Sequence, residues 1–432
     1  MIRTPWAYIP TLYLAEGFPY VVINTVSVLL YAQLGYPNDQ ITLWTGWLYL
    51  PWVLKMLWSP LVDANSTKRR WLIGAQIAMS AVLLVIAGLV CWQGIAAAPS
   101  NQWGFFTLSL LGFLIGAFVS ATLDIATDGY YLLALTPKQQ GYFVGIRTIF
   151  YRVAMILGSG LLVSAAGYLT THGVPAPYHW VIFFGTLAIF FAGCALYHAA
   201  ILPKPAEDGP ARTTQFTAWK EAFAGYFSQE NILYILLFIL LYRFGEALLE
   251  KTVPLFLLKP VSEGALGVSM QDYGLIKGTL GLGAIIAGNL LGGWLLGKCG
   301  FKKCIWPFAI ALVLPNIFYV YLASVHPGLI TLATLITLEN FGYGLAMMAL
   351  TVFIMYVSQG KYKTSHYAIS TGIMALGMMV PSMLSGKMQA LLGYKNFFWV
   401  AFGISLVTFA IVPLGLRIKA IDMAENSRKE TK

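Results

Sequence analysis

Apolar residues run through this chain in long blocks separated by short polar connectors. Neither the alternation of a half-buried strand nor the one-sided stripe of a surface helix recurs along it. A helix that crosses a bilayer needs about 20 mostly apolar residues. With their Gly, Pro and charged breakers, the blocks predict spans at residues 7–34, 40–63, 71–92, 102–135, 139–170 and 178–201, then at 231–258, 270–297, 303–324, 328–358, 361–392 and 396–417. Lipid offers the backbone no hydrogen bonds, so each block must be helical. The pattern predicts an all-α membrane protein of 12 transmembrane helices in two six-helix halves.

A polar segment, residues 202–230, separates the halves and opens on the breaker-rich run from Pro203 to Pro210. Phe216, Trp219, Phe223 and Tyr226 then recur at helical spacing, which predicts an amphipathic helix over Thr213–Gln229 at the membrane surface. The expected organisation is an N-terminal half at 1–201, a cytoplasmic linker at 202–230, a C-terminal half at 231–417 and a cytoplasmic tail at 418–432.

Composition narrows the class. The 432 residues are 58% hydrophobic and 10% charged, where a soluble domain is about a quarter charged. That excludes a soluble enzyme, a disordered chain and a disulfide scaffold. The first apolar block has no small-residue cleavage site, so no signal peptide is expected. A net charge of +10 would ordinarily point to nucleic acid or an anionic surface. Its placement says otherwise. Eighteen basic residues, among them Lys68, Arg69, Arg70, Lys302 and Lys303, lie in connectors or tails on one side, against Lys259 and Lys395 on the other. Positive connectors stay in the cytoplasm, which predicts two cytoplasmic termini, a lipid-bilayer partner and no nucleic acid.

Little suggests metal or enzyme chemistry. Cys91, Cys194, Cys299 and Cys304 are scattered without a zinc-type set, and no metal or cofactor is expected. The run Gly292-x4-Gly297-Lys298-Cys299 approximates a phosphate-binding loop but ends in Cys where Ser or Thr should hold magnesium. There is no zinc-protease helix and no Ser/His arrangement, so an intramembrane enzyme or sensor is only a distant alternative. The pairs Gly112/Gly116, Gly141/Gly145 and Gly288/Gly292 predict close helix packing.

The halves align at an offset of 234–235 residues: Glu16 falls on Lys251, Pro19 on Pro254 and Arg152 on Lys387. Such a repeat places a site near the bilayer midplane between halves. Ionisable residues inside a membrane are costly and mark pathways by default. Counting Asp63 but otherwise away from their ends, the spans hold seven acids and seven bases. Glu16, Lys55, Arg152, Arg243, Glu246 and Glu339 fall near mid-depth; Asp63, Asp124, Asp128 and Arg147 lie nearer the basic side. Arg243, Glu246 and Glu250 fall at i, i+3 and i+7, one stripe of span seven. Asp124 and Asp128 share a face of span four, with Arg147 a candidate partner. Glu16, Glu246 and Glu339 are candidate proton carriers, with ion pairing to Arg152 or Arg243 as the structural alternative. The run Glu16-Gly17-Phe18-Pro19 predicts a broken or kinked helix.

Several runs resemble a known family. Gly293 to Lys303 is similar to the basic turn between the second and third spans of major facilitator superfamily transporters. Lys55 to Asp63, Asp124 to Gly129, Tyr151-Arg152, Leu241 to Glu246 and Glu339 to Gly344 resemble its peptide/acetyl-CoA transporter branch, and most of all AmpG-type muropeptide permeases. Span seven departs from those permeases, with Arg243 and Glu246 where they tend to carry Lys and Asp.

The resemblance implies the major facilitator fold and a monomer in the bacterial inner membrane that works by alternating access. It also implies proton-driven import of an anionic glycopeptide, GlcNAc–1,6-anhydroMurNAc peptides, for peptidoglycan recycling. On that reading Lys55, Arg152 and Arg243 bind substrate, and Glu16, Glu246 or Glu339 carries the proton. Asp63, Arg69, Arg70, Asp124, Asp128 and Arg147 form a cytoplasmic conformational lock. An acyl-CoA or a different saccharide as cargo, and sodium in place of the proton, stay open.

Overall fold

The structure, a computed structural model, describes residues 4–96, 102–175, 177–205, 208, 215–358, 363–419 and 421. It is built of helices, and ten stretches are long and apolar enough to cross a membrane. One of them, Ser365–Leu416, contains two helices parted at Gly393, whose φ of 71° is a left-handed conformation that a side chain resists. The second crossing, Asn38–Asn65, is diluted by Asp39, Lys55 and Asp63 and bent by a 3₁₀ turn at Trp47–Tyr49. With these two the crossings number twelve among the described residues.

Two compact units emerge. The first comprises Met1–Tyr36, Trp47–Gln215 and Val268–Thr279; the second comprises Pro37–Gly46, Phe216–Gly267 and Leu280–Lys432. The short segments that each unit takes from the opposite half of the chain sit at the starts of spans two and eight, which are equivalent in the repeat.

In the first unit, α1 (Ile9–Val21) continues through a π-helical turn at Val22–Val26 into α2 (Ser27–Gln33). Contrary to the expected break, α1 runs unbroken past Pro19, and the irregularity falls just after it. Gly17 serves packing. A Cβ there would lie 2.6 Å from the Tyr151 carbonyl oxygen, so its absence lets α1 press against α7 (Pro137–Met155). Around this pair stand α4 (Leu50–Asn65), α5 (Lys68–Ala96), α6 (Gln102–Ala134), α8 (Val163–Thr171) and α9 (Tyr178–Ile201). The pair α5 and α6 interlocks at Gly112 and Gly116, against Ile86 and Val82. Gly145, by contrast, faces open space and serves no such contact. Buried polar ties fix α1 in place: His198 of α9 hydrogen-bonds Thr11 at 2.9 Å and Gln76 at 3.0 Å. Two polar groups satisfied together in a dry interior give a strongly directional link.

In the second unit, α3 (Asn38–Gly46) packs on α18 (Lys363–Ser405), with Asn38 donating to Gln389 and to the Tyr394 hydroxyl, both at 2.8 Å. The expected surface helix appears as α10 (Gln215–Phe227), and it is anchored instead of simply lying on lipid. Tyr226 is buried with its hydroxyl 2.8 Å from Ser370, and His366 hydrogen-bonds the Ala222 carbonyl at 3.1 Å. The side chains of Phe216 and Trp219 lie outside the described residues.

Span seven is a correction. It consists of α11 (Ile232–Leu241) and α12 (Phe244–Leu258), interrupted at Arg243, whose φ/ψ of −115°/20° is not helical. The continuous stripe through Arg243, Glu246 and Glu250 therefore does not form. Beyond α13 (Met270–Tyr273) and a π-helical turn come α14 (Leu282–Cys299), α15 (Phe301–Val313), α16 (Ile317–Val325), α17 (Leu329–Val357) and α19 (Val407–Leu416). Gly288 permits the close approach of α14 and α17, since a Cβ there would lie 2.3 Å from the Phe341 carbonyl oxygen. Ile330 and Leu391, 86% and 77% exposed, mark surfaces that belong in lipid.

Candidate functional site

In the first unit, four helices bring five charged side chains to one place. Tyr13 and Glu16 lie one turn apart on α1, Lys55 projects from α4, Asp124 and Asp128 from α6, and Arg147 from α7. Lys55 pairs with Asp124. Arg147 pairs with Asp128 at 2.8 Å and donates to the Tyr13 hydroxyl at 2.9 Å, and Tyr13 donates to the same Asp128 oxygen at 2.8 Å. The guanidinium also lies over the rings of Tyr13 and Tyr131, 5.3 and 5.0 Å from their centroids.

Glu16 closes the chain. It is buried, only 7% exposed, on the face of α1 that carries Tyr13. Its Oε2 is buried without a hydrogen-bond partner. The cluster holds three acids and two bases, and a single proton makes it neutral. Exposure is graded along it: the Asp128 and Arg147 side chains are 48% and 30% exposed, those of Asp124 and Lys55 19% and 27%.

The second unit holds a separate set. Arg243, at the interruption of span seven, hydrogen-bonds the Tyr343 hydroxyl and lies 4.8 Å from that ring's centroid. The buried Glu339 of α17 accepts from the Tyr319 hydroxyl and from Asn340, each at 2.9 Å. Glu246 is buried in the first turn of α12.

The other sequence candidates are placed as follows. Arg152, on α7, contacts the Met155 sulfur at 3.6 Å and is not the partner that holds Glu16. Arg69 donates to the carbonyls of Ala199 and Leu202 at the end of α9. Arg70 is exposed and lines a groove between α5 and α6. The Asp63 side chain lies outside the described residues. Asp128 is held by Arg147 and Tyr13 and not by the Lys68–Arg70 turn, while Asp208 accepts from the Lys68 and Arg69 backbone N–H groups at 2.6 and 3.2 Å. Sequence reading passed over Tyr13, Tyr131, Tyr319 and Tyr343. Three carried a usable signal: Tyr13 lies three residues before Glu16, Tyr131 three after Asp128 and Tyr343 four after Glu339, all same-face spacings on a helix.

Known proteins fit this architecture. A 27%-identical uncharacterized protein of Haemophilus influenzae aligns over 92% of both chains. "Putative transporter AmpG 4" of Rickettsia conorii is 24% identical over 89% of this chain and 90% of its own. The "Anhydromuropeptide permease" of Escherichia coli K12 is 24% identical over 80% of this chain and 67% of its own. Among solved structures, a D-xylose-proton symporter superimposes with a TM-score of 0.71 at 13% identity, covering 95% and 96% of the two chains. The nucleoside transporter NupG superimposes with 0.65 at 14%, covering 94% and 98%. Likeness at such identity speaks for the fold alone. The Major Facilitator Superfamily profile matches residues 11–359, well over half of the chain. Twelve helical crossings among the described residues and this profile match are those of a multi-pass membrane transporter, and the chain belongs to the major facilitator superfamily.

Proposed function

We propose that this transporter imports anionic glycopeptide fragments of the cell wall, GlcNAc–1,6-anhydroMurNAc peptides, coupled to protons. It does so by alternating access, as a monomer in the bacterial inner membrane with both termini in the cytoplasm. The relatives named AmpG and anhydromuropeptide permease support the cargo, and the eighteen-to-two bias of basic residues supports the orientation.

The observation that carries the coupling is the buried Glu16, with its unpartnered Oε2, in a cluster whose two bases are already engaged in the Lys55–Asp124 and Arg147–Asp128 pairs. An ionised Glu16 would give the cluster a net negative charge, at a cost that burial magnifies. A proton on Glu16 removes that penalty. Asp128, the most exposed acid of the four ion-paired residues, is the entry for that proton, and the Tyr13–Arg147 pair orients it. Loss of the proton from Glu16 adds a carboxylate that competes with Asp124 for Lys55, which is the switch an alternating-access cycle needs. In the second unit Arg243 is the substrate anchor: its planar fork suits a carboxylate, and the Tyr343 ring holds it ready. Glu246 and Glu339 are the second candidates for proton transfer. Arg152 is a further substrate contact, and Asp63, Arg69 and Arg70 belong to the surrounding conformational lock.

The test is uptake by proteoliposomes. An inward-directed proton gradient is expected to concentrate labelled anhydromuropeptide, whereas an acyl-CoA or a neutral disaccharide is not concentrated. Accumulation on a sodium gradient alone would reassign the coupling ion, and accumulation of the CoA ester instead would reassign the cargo.

A further inference from the structure

Outside the charged cluster, the first unit carries a groove of about 440 Å³ on the face formed by α5 and α6. One stripe of α5 supplies Arg70, Gly74 and Ala78, and α6 supplies Phe118 and Thr122. Ser66 and Arg70 lie at the end where α5 begins, and Gly74, Ala78 and Phe118 lie deeper. Beyond the groove the same two helices show Ile77, Leu84 and Ile115 to the outside, each more than half exposed, so this face lies against hydrocarbon. Arg70 places an exposed cation at the rim of an apolar groove that opens into lipid, where an anionic headgroup can pair with it.

We infer that this groove holds one anionic phospholipid of the leaflet at the Lys68–Arg70 end. Its phosphodiester pairs with Arg70, and its glycerol and first acyl carbons lie on Gly74, Ala78 and Phe118. Three observations support a lipid over other occupants. The volume suits a small-molecule site and extends into the apolar zone, where a free phosphate would leave it empty. The indole N–H of Trp71, which also lines the groove, is buried without a hydrogen-bond partner, and an ester or phosphate oxygen supplies the acceptor. The N–H groups that open α5 are taken by Asp208, so Arg70 provides the attraction and the helix end does not. Basic pockets between spans on the positive side of a membrane protein are suited to such headgroups.

The experiment is native mass spectrometry of the detergent-purified full chain, titrated with dioleoyl phosphatidylglycerol or phosphatidylcholine. Wild type is expected to retain one phosphatidylglycerol roughly fivefold more strongly than phosphatidylcholine, the discrimination one basic residue supplies near a membrane surface. Arg70→Gln brings the two lipids to parity, and Arg70→Lys restores most of the preference. Gly74→Leu occludes the groove and abolishes the adduct; open space around Gly74 lets this variant fold. Soluble glycerol phosphate leaves the adduct intact. Equal retention of both lipids by wild type, undiminished phosphatidylglycerol binding in both Arg70→Gln and Gly74→Leu, or displacement by glycerol phosphate would overturn the assignment.

Discussion

A single nitrogen of Arg147 reaches Asp128 at 2.8 Å and, at 2.9 Å, the Tyr13 hydroxyl that itself donates to the same Asp128 oxygen. This triangle ties α1, α6 and α7 together one helical turn from Glu16. It is also the accessible end of the charge chain. Its members are exposed enough that the pair is worth about 1 kcal/mol at most. Arg147→Gln should therefore lower the Tm by only a few degrees while initial uptake falls at least tenfold. Thermal unfolding in detergent and uptake by proteoliposomes, measured on the same preparation, check the two halves of this expectation. A loss of fold matching the loss of uptake would make Arg147 a scaffold residue.

Lys55 and Asp124 lie deeper. Removing one partner of a half-buried pair leaves the other charge partly desolvated, while replacing both by apolar groups is milder. Lys55→Met is expected to destabilise by about 1–2 kcal/mol. The double variant Lys55→Met/Asp124→Leu should recover most of that stability yet remain unable to accumulate substrate. Chemical denaturation of the single and double variants, read as a double-mutant cycle, measures the coupling.

The approach of α1 to α7 at Gly17 gives a third expectation. Gly17→Ala puts a methyl group 2.6 Å from the Tyr151 carbonyl oxygen and 2.8 Å from the Ala154 Cβ, so the helices must part and Glu16 moves with α1. Both Tm and transport should fall. Gly145→Ala, on the α7 of the same pair, meets nothing within 4 Å and should be neutral or stabilising by up to about 1 kcal/mol through helix propensity. The contrast between two glycine substitutions on touching helices separates packing from propensity.

In the second unit, Arg243→Lys keeps the charge and loses the planar fork, and Tyr343→Phe loses the hydroxyl the guanidinium bonds. Both are expected to raise the KM for an anionic glycopeptide about tenfold, the cost of roughly one charge-assisted hydrogen bond, and to leave inhibition by neutral disaccharides unchanged. Equal effects on both ligands would place Arg243 in the fold and not at the substrate.

Much of the fold was readable in the chain because the bilayer enforces length, apolarity and helicity on each crossing. Hydropathy marked the boundaries near Ile201 and Ile232, and the pairing of Pro19 with Pro254 announced the repeat. The interruption at Arg243 was not readable, since neither Gly nor Pro stands at Tyr242–Arg243 to signal it. The partners of Glu16 were hidden for a related reason. Which acid meets which base depends on the faces the helices turn to one another, and those are set by contacts such as Gly17 on Tyr151 that leave no periodic trace. Depth alone singled out Glu16, Glu339 and Arg243. It could not distinguish a carboxyl group buried in the cluster of the Lys55–Asp124 pair from one capped by Tyr319 and Asn340.

The proposed proton on Glu16 is tested most directly by Glu16→Gln, which keeps the shape but fixes the group neutral. In proteoliposomes this variant should exchange internal for external substrate as wild type does, because the cycle can run with a permanently neutral side chain. It should fail to concentrate substrate on an inward-directed proton gradient. Accumulation by Glu16→Gln to the wild-type level on that gradient would contradict the assignment of the coupling proton to Glu16.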